Sequence, residues 1–331
     1  MANENTAAFS SAVKTLYERR LLTRAQPRLL HARWATPATL SGFGVYELRK
    51  YGSLSAVTAA LSAEGVTPDE NAAPSLTVTT CTPLWYGAWI GYTDKLNLVS
   101  YDPIVSMTAG ILGEQAGLST DTLVRTVLVA DATLDYSGGQ TAIGNLVAVT
   151  HKLNYADFVT QIAELETAEA RPVDGEDFAV IIHPYTWATL MQDPTFVSLF
   201  IRESATALRS GLVGRLLRCQ IYVSSNAKKY TDEGSSSSDP YSMLFIGAES
   251  YGICGIATLM PQLNPDGQGT NAYTRTGQAE VRPVEIIMRG LGETGFDPLK
   301  QRGTMGWKAA HVSTVLNSAW IRNLIHINDF S

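Results

Sequence analysis

From Asp102 to Leu134 the chain keeps helical spacing over an unusual length. Ile104, Met107, Ile111, Leu112, Gln115 and Leu118 follow it, and after the polar step Ser119-Thr120-Asp121 it resumes with Leu123, Val124, Val127 and Leu128. Asp102 before Pro103 reads as a helix start, an acceptor side chain at the cap followed by a residue of fixed φ. Ser137-Gly138-Gly139 reads as the stop, and Gly110, Gly113 and Gly117 weaken the run enough to allow a bend. A helix of about thirty residues is about 45 Å long. That is more than a small domain needs, so it is expected to act as a spine to which other elements attach.

At 331 residues the chain suits two compact domains, or one domain with long excursions. Apolar residues make up 45%, enough for a real core, while charged residues at 17% fall below the usual quarter. So few charges fit a surface that neighbours cover. A net charge of −6 and a pI near 5.4 argue against a dedicated nucleic-acid binder, which would be basic. Cys81, Cys219 and Cys254 are odd in number and far apart, so they read as three buried thiols in a reducing cytosol rather than a disulfide or zinc framework. Met1-Ala2-Asn3-Glu4-Asn5 lacks the charged and apolar regions of a signal peptide, and no run of 18 apolar residues could span a bilayer. A soluble protein made in the cytoplasm, with no membrane contact, is the expectation.

The first forty residues differ from the rest. Between Lys14 and Arg33, Lys14, Arg19, Arg20, Arg24, Arg28 and Arg33 face Glu18 alone, so six cations less one anion give +5 within a chain that is −6 overall. Leu16, Leu21, Leu22, Leu29 and Leu30 are interleaved, and Pro27 interrupts any helix. Such an arm buries little by itself and needs an acidic or apolar partner surface. The acidic remainder of a neighbouring subunit is one partner, packaged DNA another, and a solvated amphipathic helix is the bland alternative.

Residues 43–95 read as a two-stranded excursion. Phe43–Tyr51 and Leu76–Cys81 favour strands, Leu84–Tyr92 continues beyond, and residues 52–75 form a tip rich in Ala, Ser, Pro and Gly. A hairpin this long needs something to lie on. Trp85 and Trp89 at its base are large apolar groups for such a contact, unless they pack within their own domain.

From Gln140 to about Gln278 helices and strands alternate as in a compact α/β unit. A helix capped by Asn154 carries Phe158, Ile162 and Leu165 on one face, and Phe178–Ile182 is a fully apolar strand. His183-Pro184 opens the next helix, and strands follow at Cys219–Val223 and Met243–Ile246. The loop Asp232–Pro240 holds four consecutive serines and is expected to be exposed, mobile and tolerant of insertion.

Reaction chemistry leaves no trace. The five histidines form no metal-ligand pair, no Walker-type or dinucleotide-binding glycine motif is present, and Gly247–Gly252 misplaces its serine for a nucleophile elbow. His183 is the best lone candidate for a base, but its place at a strand-to-helix turn favours a cap. No catalytic residue, cofactor or metal is expected.

Near the C-terminus a β-rich run, Val284–Gly290, breaks into a loop with Gly292, Gly295, Pro298, Gly303 and Gly306, and an amphipathic run follows from Trp307 to Ile327. Asp297, Lys300, Gln301 and Arg302 on that loop suit a contact surface, where Lys300 and Arg302 are expected to meet acidic groups of an adjacent subunit while Phe296 and Trp307 fix the loop. The order of these residues resembles the closing segment of major capsid proteins of tailed bacteriophages, of the N4-like branch with the Hong Kong 97 (HK97)-type shell fold. The Phe43–Tyr51 strand, the Asp102–Leu134 spine, the turn at Val180–Pro184 with Trp187 and Leu190, the Gly214–Val223 segment and the Phe296–Lys308 loop occur in the family's order.

The resemblance implies an α+β HK97-like capsid fold. Its parts would be an N-terminal arm (1–38), an extended β-hairpin loop (39–97), a peripheral domain with the long spine helix (98–137), an α/β axial domain (138–278) and the peripheral domain's return strands (279–331). It implies a structural protein, assembled in the host cytoplasm, that forms hexamers and pentamers of an icosahedral virion head around double-stranded DNA. Portal and scaffold or decoration proteins would be further partners. Subunit-contact candidates are Arg19, Arg20, Arg24, Arg28, Trp85, Trp89, Lys300 and Arg302. Two other readings stand beside it: an encapsulin-like compartment shell, and a cytoplasmic hydrolase of unrecognised type.

Overall fold

A computed structural model describes residues 30–37, 39–41, 45–52, 54, 56, 58, 74–99, 104–148, 150–203, 212–254, 285–289, 299 and 301–328. Among the described residues, fourteen strands and five helices run in the order β1 (Thr36–Pro37), β2 (Thr39–Ser41), β3 (Val45–Tyr51), β4 (Leu76–Cys81), β5 (Leu84–Thr93), α1 (Asp94–Val99), α2 (Ile104–Asp131) and β6 (Thr133–Tyr136). There follow α3 (Tyr155–Thr167), β7 (Phe178–Ile182), α4 (Pro184–Leu190), α5 (Pro194–Glu203), β8 (Leu212–Leu216), β9 (Cys219–Val223), β10 (Pro240–Ile246), β11 (Tyr251–Cys254), β12 (Glu285–Arg289), β13 (Arg302–Val315) and β14 (Ile321–Ile327). Among the described residues, no helix is long and apolar enough to cross a membrane.

The larger sheet has the order β6-β14-β10-β7-β9-β8 and mixes parallel and antiparallel neighbours. Both of its faces are covered, which is why β7 is apolar at every position. Phe178, Val180 and Ile182 point into a core with Phe158, Ile162 and Leu165 of α3, Leu190 of α4 and Phe196 of α5. Ala179 and Ile181 point the other way, against Val124 and Leu128 of α2. Asn154 caps α3 by accepting from the Asp157 N–H at 2.9 Å. His183 Nδ1 accepts from the Tyr185 N–H at 3.2 Å and caps α4, as its position before Pro184 predicts.

A second sheet is built on β13, whose first half lies between β5 and β12 and whose second half pairs with β11. The third sheet is the hairpin β3–β4 with β2 on its edge, in the register Tyr46↔Cys81 to Tyr51↔Leu76. β5, read from sequence as continuing the excursion, pairs instead with β13 from Thr93↔Arg302 to Leu84↔His311.

The spine helix α2 has 28 residues, about 42 Å. Its proposed cap, Asp102-Pro103, lies outside the described residues. The helix ends at Asp131, before Ser137, because Thr133–Tyr136 leaves it to pair parallel with β14, and Ser137–Gly139 forms a separate turn with Gly138 at φ 66°. Its buried face is made largely of small residues. Ala109, Leu112, Ala116 and Thr120 are buried, whereas Met107, Ile111 and Leu118 are 49%, 55% and 44% exposed. Small residues face the sheet because the helix lies close on β13, so the larger side chains are turned outward.

The serine loop is better ordered than its composition predicts. The Ser235 N–H donates to the Leu146 carbonyl at 2.9 Å, Ser238 is buried with its hydroxyl on the Ser235 carbonyl, and Lys229 pairs with Asp239 at 2.6 Å. Ser236 and Ser237 stay exposed at the tip, both at φ 57°. Cys81 and Cys219 are buried free thiols, as expected.

Candidate functional site

Alternation along β13 divides its side chains between two faces. Met305, Trp307 and Ala309 join Ala109, Leu112 and Ala116 of α2 in a packed core, and the Trp307 Nε1–H donates to Gln115 Oε1 at 3.3 Å. Thr304, Gly306 and Lys308 therefore belong to the opposite face. Their β5 partners there are Gly91, Trp89 and Gly87, and Ile287 of β12 is paired with Gly306 from the other side.

No helix covers that face among the described residues. Trp85 is 52% exposed, Trp89 71% and Ile287 40%, and with Thr304, Gly306 and Lys308 they line a groove of about 540 Å³. Lys308 Nζ sits 4.1 Å from the centre of the Trp85 ring, which orients the indole and keeps one cation at the rim. Large aromatic groups with a flanking cation, on a rigid sheet, form a surface suited to protein contact.

Gly303 and Gly306, read from sequence as loop residues, are in the strand, and each is required by a close neighbour. A Cβ on Gly303 would fall 2.4 Å from the Tyr92 ring, and one on Gly306 would fall 2.9 Å from both the Ala88 carbonyl oxygen and the Trp89 Cβ. These glycines let β5 and its aromatics settle on β13. Sequence reasoning took them as loop punctuation because the partner strand lies some 220 residues earlier in the chain.

The remaining candidates are dispersed. Arg302 is exposed at the start of β13, opposite Thr93, at the end of the sheet away from Trp85. Lys300 and Phe296 lie outside the described residues, as do Arg19, Arg20, Arg24 and Arg28. The hairpin presents further apolar groups, with Tyr51 66%, Leu76 48% and Val78 43% exposed.

Sequence reasoning missed a buried polar cluster. His31, carried on the segment just before β1, and Asp121 of α2 are both fully buried and meet at 2.8 Å. Asn226 and Tyr251 join them. No spacing rule links residues ninety positions apart. His183 is packed between Tyr185 and Tyr241, and burial, then Lys229, lowers its pKa from the ordinary value. Among the described residues no group of three or more His, Cys, Asp or Glu side chains could hold a metal.

A spine helix shared by two sheets, with an extended hairpin beside the smaller one, defines an HK97-like capsid fold, and solved shells share it. The capsid of Ralstonia phage GP4 aligns with a TM-score of 0.64 at 13% identity, over 89% of this chain and 86% of that one. The capsid of cyanophage P-SCSP1u gives 0.60 at 14%, over 89% and 87%. The capsid of a native GTA particle gives 0.57 at 12%, over 91% and 90%. No curated protein matches the chain. The sequence profile of the phage capsid protein family matches residues 77–322, about three-quarters of the chain. The chain belongs to that family, and it is a structural major capsid protein of a phage head, a component of the virion.

Proposed function

We propose that this chain closes into an icosahedral head of hexamers and pentamers around double-stranded DNA, and that the groove of Trp85, Trp89 and Ile287 is a contact between adjacent copies. The observation that carries this reading is the exposure of Trp85 and Trp89 on a rigid sheet within the family-matched region. On one subunit such a surface is costly in water; in a shell, neighbours cover it. The hairpin β3–β4, with Tyr51, Leu76 and Val78 exposed, supplies a second apolar surface and serves as the extended loop. Lys300 and Arg302 meet acidic groups across the same boundaries. The arginines of residues 1–38 face acidic neighbours or the packaged DNA, and portal and scaffold or decoration proteins complete the particle.

Electron microscopy of purified protein, with Trp85→Ala and Trp89→Ala alongside, tests this. Wild type is expected to give closed shells or capsomers, and native particles are expected to hold nuclease-protected DNA. Each variant should unfold within about 1 kcal/mol of wild type, since most of each indole is already wet, yet raise the concentration needed for assembly about tenfold. Equal loss in both measurements would place the tryptophans in the subunit's own core.

A further inference from the structure

Between α3 and β7 the chain turns through residues 172–177, and the tip of that turn carries the one Asp–Gly pair among the described residues, Asp174-Gly175. The turn is tied at its two ends. The Ala248 N–H donates to the Arg171 carbonyl at 2.7 Å, and the Val173 N–H donates to the Asp177 carbonyl at 2.8 Å. Between these ties Asp174, Gly175 and Glu176 are exposed. Gly175 stands at φ 82°, in the left-handed region, and a Cβ placed there would have no atom within 4 Å. Among the described residues, no hydrogen bond of ordinary distance and angle holds the Gly175 N–H or the Asp174 carboxylate.

This arrangement brings together what a carboxyl needs to react with its own backbone. No Cβ on residue 175 shields the nitrogen, no tie fixes the peptide between the two residues, and water reaches the tip. The other described aspartates are all followed by a residue with a Cβ, and most are held in other ways as well. Asp193 and Asp239 precede prolines, which have no N–H. Asp121 lies within α2 and Asp157 within α3, where the helix fixes the backbone, and Asp177 is buried. We propose that Asp174 is a site of slow self-modification, its carboxyl closing on the Gly175 nitrogen to a succinimide that opens to isoaspartate. The Gly175 nitrogen bonds to the Asp174 Cγ, and the amide hydrogen and the carboxyl OH leave as one water. Water then opens the ring at one of its two carbonyls. Opening at Cγ restores aspartate, whereas opening at the main-chain carbonyl leaves the chain running through Cγ, one carbon longer, with a free α-carboxylate. Nothing is oxidised or reduced, and only water is exchanged.

The added carbon falls between two fixed ties, beside groups that hold the hairpin β8–β9. Glu176 and Asp177 pair with Arg215 at 3.0 and 2.8 Å, and Asp177 also accepts from the Gln220 amide at 3.1 Å. The Phe178 N–H donates to the Arg218 carbonyl at 2.7 Å. Lengthening the tip loosens this clasp at the edge of the large sheet, where β8 is the last strand. The inference concerns the single chain and does not depend on the shell reading.

Prolonged storage of the full chain at neutral pH, followed by peptide mass spectrometry with electron-transfer fragmentation to separate the two isomers, tests it. Isoaspartate is expected to build up at Asp174 faster than at any other described aspartate, preceded by a form of the same peptide lighter by one water. Asp174→Glu, whose ring would be larger, should lose the product entirely. Asp174→Asn closes the same ring with loss of ammonia, and should lose its amide sooner than Asn317, which precedes Ser318. Stored wild type should also be cut by trypsin after Arg215 faster than stored Asp174→Glu. If wild type and Asp174→Glu age alike at this peptide, or if Asp174→Asn keeps its amide as long as Asn317 does, the turn does not permit ring closure and the proposal fails. Isoaspartate confined to Asp266-Gly267, outside the described residues, would overturn it as well. Equal cleavage of the two stored proteins, with isoaspartate present in wild type, would overturn the loosening of the clasp.

Discussion

Gly306 stands where β5 lies tight against β13, and a single methyl group there tests the packing of the outer face. Its Cβ would meet the Ala88 carbonyl oxygen and the Trp89 Cβ, both at 2.9 Å, and neither is the free end of a flexible side chain. Gly306→Ala is therefore expected to cost about 1–3 kcal/mol, as overpacking does, read as a lower midpoint in urea unfolding at unchanged slope. An unchanged midpoint would mean that the strands separate freely at this point. At this scale the sequence was half legible. Trp85 and Trp89 stand out as large aromatics in a strand-like run, and Asn154 and His183 as caps, because those signals are local. The stack of Lys308 on Trp85 and the pairing of His31 with Asp121 join distant residues, and no local pattern encodes them.

The hairpin β3–β4, the apolar strand β7 and the long helix could be read from sequence, since each follows from the period of its own residues. The inward face of α2 was not legible: the spacing of its large residues marks a helix, but the packed stripe is made of Ala109, Ala116 and Thr120 with Leu112, where backbone proximity outweighs side-chain size. The serine loop was misread for the converse reason: its composition shows no anchor, but its backbone and Ser238 find partners at Leu146 and within the loop. That ordering sharpens where an insertion is tolerated. A short epitope between Ser236 and Ser237 should leave the fold intact, because both are exposed and outside the anchoring bonds. The same epitope between Ser237 and Ser238 pulls the buried hydroxyl away and should lower stability by about 1–2 kcal/mol, measured by thermal unfolding of both insertions side by side. Equal stability would show that the anchors contribute nothing.

At the scale of the molecule, two buried histidines among the described residues weaken the fold in acid. Burial lowers the pKa of His311 and of His326 to about 4, against 6.5 for an exposed imidazole. Both are neutral in the folded chain and gain a proton readily only on unfolding. Their contribution is full above about pH 6.5 and is lost as pH falls toward 4, at about 1.4 kcal/mol per pH unit for each. By pH 5 the two together remove about 4 kcal/mol, a large share of a typical folding free energy. His326 is held by Thr186 at 2.9 Å, but His311 has neither ring nitrogen hydrogen-bonded among the described residues. His311→Leu should therefore be tolerated near pH 7 and should remove about half of the acid loss, seen by comparing urea midpoints at pH 7 and pH 5. A variant with the same acid sensitivity as wild type would place the response elsewhere.

The helix α2 belongs to two cores at once. Ala109, Leu112 and Ala116 close the small sheet, while Val124 and Leu128 close one face of the large one. Melting either sheet strips the cover from half of the helix and weakens the grip on the other half. Two lobes that share one rod in this way lose the freedom to unravel separately. A subunit that looks bipartite should behave as a single cooperative block, so a push applied at the outer tryptophans is felt at the far sheet as a rigid displacement rather than absorbed at a joint.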